Sequence, residues 1–204
     1  DNEGALRVGA AIGTSEDTDE RVQALIEAGV DVVIIDTSHG FSQGVLDCVS
    51  RVRKNFSDLQ IIGGNIVTSD AAKALIKAGV NAVKVGIGPG SICTTRIVAG
   101  VGLPQITAIS DIAEGIKNSG IPIIADGRIR YSGDIAKAIA AGGHTVMVGS
   151  LVAGTGDSPG EVVFDTSREF LGYRVRGAVS ARRRMRGAEE RIVEVNKRVR
   201  VQRV

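Results

Sequence analysis

The chain has 204 residues, 43% apolar but only 3% aromatic, enough for a core of Val, Ile, Leu and Ala and too much for wholesale disorder. Its formal net charge is +2, and its two cysteines and two histidines are too few for a disulfide scaffold or a structural zinc site. The 27 glycines follow no collagen period, no apolar run approaches a membrane span and no leader is evident, so a cytoplasmic protein is expected.

Strands are expected at 6–11, 32–35, 60–62, 83–85, 121–125 and 146–148, and helices at 18–28, 43–55, 69–78, 108–119 and 133–141. Thr68 or Ser69 is placed to cap the third helix and Ser132 the last. Three stretches repeat one unit: Ala24-Leu-Ile-Glu-Ala-Gly29-Val-Asp-Val-Val33, Ala74-Leu-Ile-Lys-Ala-Gly79-Val-Asn-Ala-Val83 and Ala138-Ile-Ala-Ala-Gly142-Gly-His-Thr-Val146. Each reads as a helix end, a glycine turn and a β-branched run. Runs that are apolar without alternation indicate strands covered on both faces, as in a parallel sheet.

A βα rhythm leaves two architectures, an open doubly wound sheet or a closed (β/α)8 barrel of the TIM type. Five strand ends run into small or polar residues: Asp36-Thr37-Ser38-His39-Gly40, Gly63-Gly64-Asn65, Gly86 to Ser91, Asp126-Gly127-Arg128 and Gly149-Ser150. An open sheet furnishes only its switch point in this way, whereas every βα loop of a barrel faces one mouth. The expected fold is therefore a parallel α/β barrel, here with about six βα units.

Charge divides the chain. Residues 1–167 hold 13 Lys and Arg against 19 Asp and Glu, and residues 168–204 hold 12 against 4. The expected organisation is a barrel body over 1–167 followed by a basic segment over 168–204. Within that segment, residues 190–204 alternate valine with charge around Asn196-Lys197, a hairpin pattern suited to covering a sheet edge. The run Ala181-Arg-Arg-Arg-Met-Arg-Gly187 lacks an aromatic stacking platform, so nucleic acid is not the expected partner.

The segment Gly86-Ile-Gly-Pro-Gly-Ser-Ile-Cys-Thr-Thr95 carries the most chemistry. Its glycines and proline make a rigid loop with exposed amides, suited to an ion. Cys93, flanked by Ser91, Thr94 and Thr95, is a nucleophile candidate, whereas Cys48 lies in an apolar helical pattern and reads as a buried structural thiol. Asp126 closes a strand and can accept two sugar hydroxyls. Gly127, Gly149 and Ser150 stand where barrels commonly bind phosphate. Asp36 is placed for a second ribose, and His39 reads as a polar loop residue. Together they outline a nucleotide whose reactive end points at Cys93.

The cysteine loop through Arg96, with Pro104-Gln105, Ala125-Asp-Gly and Met147-Val-Gly-Ser-Leu151, resembles the IMP dehydrogenase/GMP reductase family. The likeness runs from about residue 6 to 161, with traces to about 180. Ser158-Pro-Gly-Glu161 and Ala125-Asp126 look more like the dehydrogenase than the reductase. The resemblance implies that Cys93 adds to C2 of IMP, that a hydride passes to NAD, and that water hydrolyses the resulting thioimidate, with Thr95 helping to position that water. It assigns the IMP ribose to Asp126 and the phosphate to Ser91, Gly127, Gly149 and Ser150. The NAD ribose falls to Asp36, Thr37 and Ser38, and the nicotinamide to Asn65 and Gly86. Carbonyls of Gly88, Gly90 and Cys93 match the family's potassium site, and a homotetramer is implied.

Departures from the family pattern are equally specific. The chain starts at what looks like the third of eight strands. Arg128 replaces a glycine beside the phosphate and could pair with it or block the pocket. Val175 stands at the family's phosphate tyrosine, with Tyr173 two residues away as a substitute. The Arg-Tyr pair of the family's mobile flap is not recognisable, which leaves two alternatives, a GMP reductase or a catalytically inactive nucleotide-binding fragment of the same family.

Overall fold

The computed structural model describes residues 4–91, 93–152, 162–165 and 168–171, the last two spans as backbone only. In chain order the elements are β1 (Gly9–Ile12), α1 (Thr18–Glu27), β2 (Val32–Asp36), α2 (Gln43–Asn55), β3 (Gln60–Ile66), α3 (Ser69–Ala78), β4 (Ala82–Val85), α4 (Thr95–Val98), α5 (Gln105–Gly115), β5 (Ile123–Asp126), α6 (Ser132–Ala140) and β6 (Thr145–Met147). A separate antiparallel pair joins β7 (Val162–Asp165) to β8 (Arg168–Leu171).

The first six strands form one parallel sheet in strict sequence order, β1 to β6. A doubly wound sheet would reverse that order at a switch point. No reversal occurs, and the sheet curls as six βα units of a (β/α)8 barrel, with β1 and β6 at its edges.

Helix faces explain the curl. On α2 the buried residues are Val45, Cys48, Val49 and Val52, one apolar stripe at helical spacing. Ala71, Ala72 and Leu75 of α3 and Ala108, Ile109 and Ile112 of α5 form matching stripes. They pack with the buried strand residues Val33, Ile35, Ile61, Val83, Val85, Ile123 and Ala125 in one aliphatic core. Each fully buried Leu or Ile contributes about 1.5–3 kcal/mol. Cys48 belongs to this core: burial pushes its thiol pKa up, against a smaller downward pull from Arg51. Among the described residues no helix is long and apolar enough to cross a membrane.

Several boundaries differ from expectation. Strand β1 begins at Gly9, because Leu6 is 91% exposed and finds no partner strand. Helix α5 starts three residues early, directly after Pro104, whose missing N–H costs nothing ahead of a first turn. Thr68 caps α3 as expected, accepting the Ala71 amide at 3.4 Å. Ser132 does not cap α6; it is the first helical residue, and the Asp134 carboxylate accepts the Arg130 and Tyr131 amides at 3.0 and 3.1 Å. The hairpin expected over 190–204 lies outside the described residues.

Those two amides hold the Asp134 carboxyl below its ordinary pKa. A depressed pKa stabilises above the unfolded value and is lost as pH falls through the folded one. Protection of the Arg130 and Tyr131 amides, measured against their intrinsic exchange, should therefore fall as pH drops below about 4, the ordinary aspartate range. In Asp134→Asn the same amides should exchange with no such acid dependence.

Candidate functional site at the strand ends

Lys84 lies in the middle of β4, the most buried strand, and is only 4% exposed. A buried ammonium needs partners on every side. Its Nζ is 2.6 Å from Asp126 Oδ2 at the end of β5 and 3.2 Å from Asp36 Oδ1 at the end of β2. Register explains the reach: Asp36 pairs with Gly64, and Gly64 with Lys84, in one row across β2, β3 and β4. A Cβ on Gly64 would sit 2.8 Å from both Cβ and O of Lys84, so only glycine leaves the lane between the carboxylate and the ammonium open.

Next to Gly64 the register shifts, and the irregularity places Asn65 in the same cluster. Asn65 Nδ2 donates to Asp126 Oδ2 at 2.9 Å and to the Gly86 carbonyl at 2.7 Å. Its Oδ1 is buried and accepts nothing among the described residues. The loop after β2 is stitched to the same place. The amide and hydroxyl of Thr37 both donate to the Gly64 carbonyl, and the Asn65 amide donates to Thr37. Ser38 and His39 are exposed. Gln105 Nε2 donates to the carbonyls of Val85 and Asp126 at 2.9 and 3.1 Å and so ties the ends of β4 and β5 together.

The geometry narrows one expectation. Asp126 Oδ2 is already occupied by Lys84 and Asn65, leaving Oδ1 as the oxygen available to a ligand. Two donors on one oxygen fix the orientation of the Asp126 carboxylate.

A second group surrounds the cysteine loop. Cys93 is exposed, and its Sγ lies 3.2 Å from Thr95 Oγ1. Its amide donates to the Gly90 carbonyl, while the Gly88 and Cys93 carbonyls accept no hydrogen bond among the described residues. Ser91 Oγ is 2.9 Å from Ser150 Oγ, joining the loop to the end of β6. Gly127 abuts the loop, with its Cβ position 3.2 Å from the Gly90 amide nitrogen. The Gly149 carbonyl accepts the Val152 amide in the turn after β6. Arg128 is exposed and has φ 62, the one positive φ outside glycine among the described residues. Tyr173 lies outside the described residues. No cluster of three or more His, Cys, Asp or Glu suited to a metal occurs among those described.

Lys84 and the short helix α4 are absent from the expectations above, and Gln105 appears there only as part of a motif. A lysine between two valines in an otherwise apolar strand was the available signal, because such a charge has to be paired.

Replacing Lys84 with Met should leave two carboxylates facing each other without their cation. Breaking a buried pair costs about 3–5 kcal/mol, and the partial exposure of both aspartates lowers the expectation to about 2–3 kcal/mol. Urea unfolding checks this: the midpoint should fall while the slope stays unchanged.

Comparison with known proteins identifies the family. The family model for the IMP dehydrogenase / GMP reductase domain matches residues 1–203, well past the motifs quoted from the sequence. The inosine-5'-monophosphate dehydrogenase of Halalkalibacterium halodurans is 57% identical over 196 residues, 96% of this chain and 40% of that protein. Those of Escherichia coli K12 and Aquifex aeolicus are 59% and 56% identical over 181 residues, 89% of this chain and 37% of each relative. The chain thus spans about two-fifths of the length of the curated relatives it matches. With its strand order, its cysteine loop and nearly its whole length matched, the chain belongs to the IMP dehydrogenase/GMP reductase family.

Proposed function

We propose that this chain carries the Cys93 half-site of an NAD-dependent IMP dehydrogenase, acting in guanine nucleotide synthesis in the cytoplasm. The observation that carries the reading is an exposed thiol, 3.2 Å from a threonine hydroxyl, on a loop packed between strand ends that hold a fixed carboxylate and a pair of serines.

In this reading the IMP phosphate lies on Ser91, Gly127, Gly149 and Ser150, with Arg128 and Tyr173 beside it. Asp126 Oδ1 accepts the ribose hydroxyls. The Cys93 sulfur, as thiolate, then forms a bond to C2 of the purine. NAD, when bound, supplies the acceptor for the hydride that leaves that carbon. Cys93 stays joined to C2 as a thioimidate, and water releases XMP and restores the thiol. Dividing the reaction this way turns one hard substitution into an oxidation and a hydrolysis. Thr95 is near enough to hydrogen-bond the sulfur and to orient the water.

The residues fit the cofactor. Asn65 Oδ1 is a buried acceptor lacking a donor among the described residues, as a carboxamide N–H requires, while Nδ2 of the same side chain donates to the Gly86 carbonyl. Asp36, Thr37 and Ser38 would face the ribose of NAD. Carbonyls of Gly88, Gly90 and Cys93 would hold a potassium ion, for which neutral oxygens are the right donors. Assembly into a homo-oligomer, a tetramer in the family, completes the reading.

Incubation with IMP and NAD tests it. The expected result is NADH formation together with a mass adduct on the Cys93 peptide, both absent in Cys93→Ser. IMP binding without adduct or NADH would favour a nucleotide-binding relative without turnover. Absence of IMP binding as well would remove the proposal.

A further inference from the structure

Arg96, the second residue of α4, takes no part in the contacts described so far. Its Nε donates to the Ile87 carbonyl at 3.0 Å, and its Nη2 donates to the Leu103 carbonyl. Ile87 opens the cysteine loop, and Leu103 precedes Pro104 and the start of α5. One guanidinium therefore ties together the two ends of a segment with Cys93 between them.

The socket for this side chain is built into the backbone. Gly88 and Gly102 both have positive φ, 75 and 148. A Cβ at Gly88 would lie 2.6 Å from Arg96 Cγ, and one at Gly102 would lie 2.7 Å from Arg96 Nε. The arginine stem is thus lodged against two positions where only glycine makes room. Among the described residues no carboxylate pairs with it, so its partners are backbone dipoles. A planar fork can serve two carbonyls at once, whereas the point charge of lysine lacks that geometry.

We propose that Arg96 is the positioning residue of the cysteine loop: by clamping the carbonyls of Ile87 and Leu103 it sets where Cys93 and Thr95 stand relative to Asp126 and Ser150. This deepens the nucleotide reading and rests on it only for the identity of the ligand. Arg96 does not touch substrate; it acts through the loop. Thr95 is its neighbour on the same turn of helix, so freeing the guanidinium loosens the Sγ–Oγ1 contact.

The experiment compares the wild-type chain with Arg96→Lys and Arg96→Ala. Alkylation of both cysteines by iodoacetamide is followed by peptide mass, with and without IMP. Cys48 reports folding, because it is 2% exposed and reacts only when the chain opens. In Arg96→Lys, Cys48 should stay protected while the alkylation rate of Cys93 departs about tenfold from wild type, the scale of one lost charge-assisted hydrogen bond. The IMP concentration needed to protect Cys93 should rise by a similar factor. Added guanidinium ion should restore the rate in Arg96→Ala, where the socket is empty, and not in Arg96→Lys.

Wild-type alkylation of Cys93 in Arg96→Lys would overturn the proposal. So would parallel exposure of Cys48 and Cys93 in both variants, which would make Arg96 a general stabiliser of the fold. If IMP fails to protect Cys93 in the wild type, the functional reading falls. The intrinsic alkylation rate still reports on the clamp in that case.

Discussion

A single ammonium group organises the open end of the sheet. Lys84 has lost nearly all its water, and its charge is tolerated only because Asp36 and Asp126 lie within ion-pair distance. Those carboxylates come from strands on opposite sides of β4, and the pairing draws the ends of β2, β4 and β5 to one point. The rest of the site takes its geometry from that point. Asn65 is oriented by the oxygen that Lys84 also holds, and Gln105 fastens the backbone of β4 and β5 just beyond it. The cluster gathers two carboxylates, the Asn65 side-chain oxygen and one cation. An acceptor-rich site of this kind suits sugar hydroxyls and an amide N–H better than it suits an anion.

The anion would sit elsewhere, and the architecture keeps the two regions apart. Hydroxyls of Ser91 and Ser150 and the backbone around Gly127 lie along the loop side, towards β6. Cys93 and Thr95 belong to the same loop as Ser91, which leads out of β4 immediately after Lys84 and Val85. A nucleotide laid from the serines to Asp126 would therefore span both regions. Arg96 gives the loop the stiffness that this geometry needs, since it bonds both ends of the segment at once.

Much of this was legible in the residues, and the parts that were not share a cause. Continuous apolar runs and glycine helix ends located all six parallel strands, and furnished strand ends favoured the barrel over an open sheet. The split between a buried Cys48 and an exposed Cys93 followed from their neighbours. Side chains that act across strands were harder to read. Lys84 meets Asp126 over 42 positions and Asp36 over 48, so no local pattern announces the cluster. Arg96 donates to backbone carbonyls, which carry no sequence signature. The cap of α6 was misassigned for a related reason: Ser132 and Asp134 both suit a helix start, and only the fold selects the carboxylate.

The central claim is that Lys84 and Asp126 are energetically coupled and that this coupling holds the strand ends together. A double-mutant cycle measures it directly, using unfolding free energies of the wild type, Lys84→Met, Asp126→Asn and the combined variant. The account predicts a coupling of about 1–3 kcal/mol, within the range for groups in one ion-pair network. Additive effects, with coupling near zero, would contradict it.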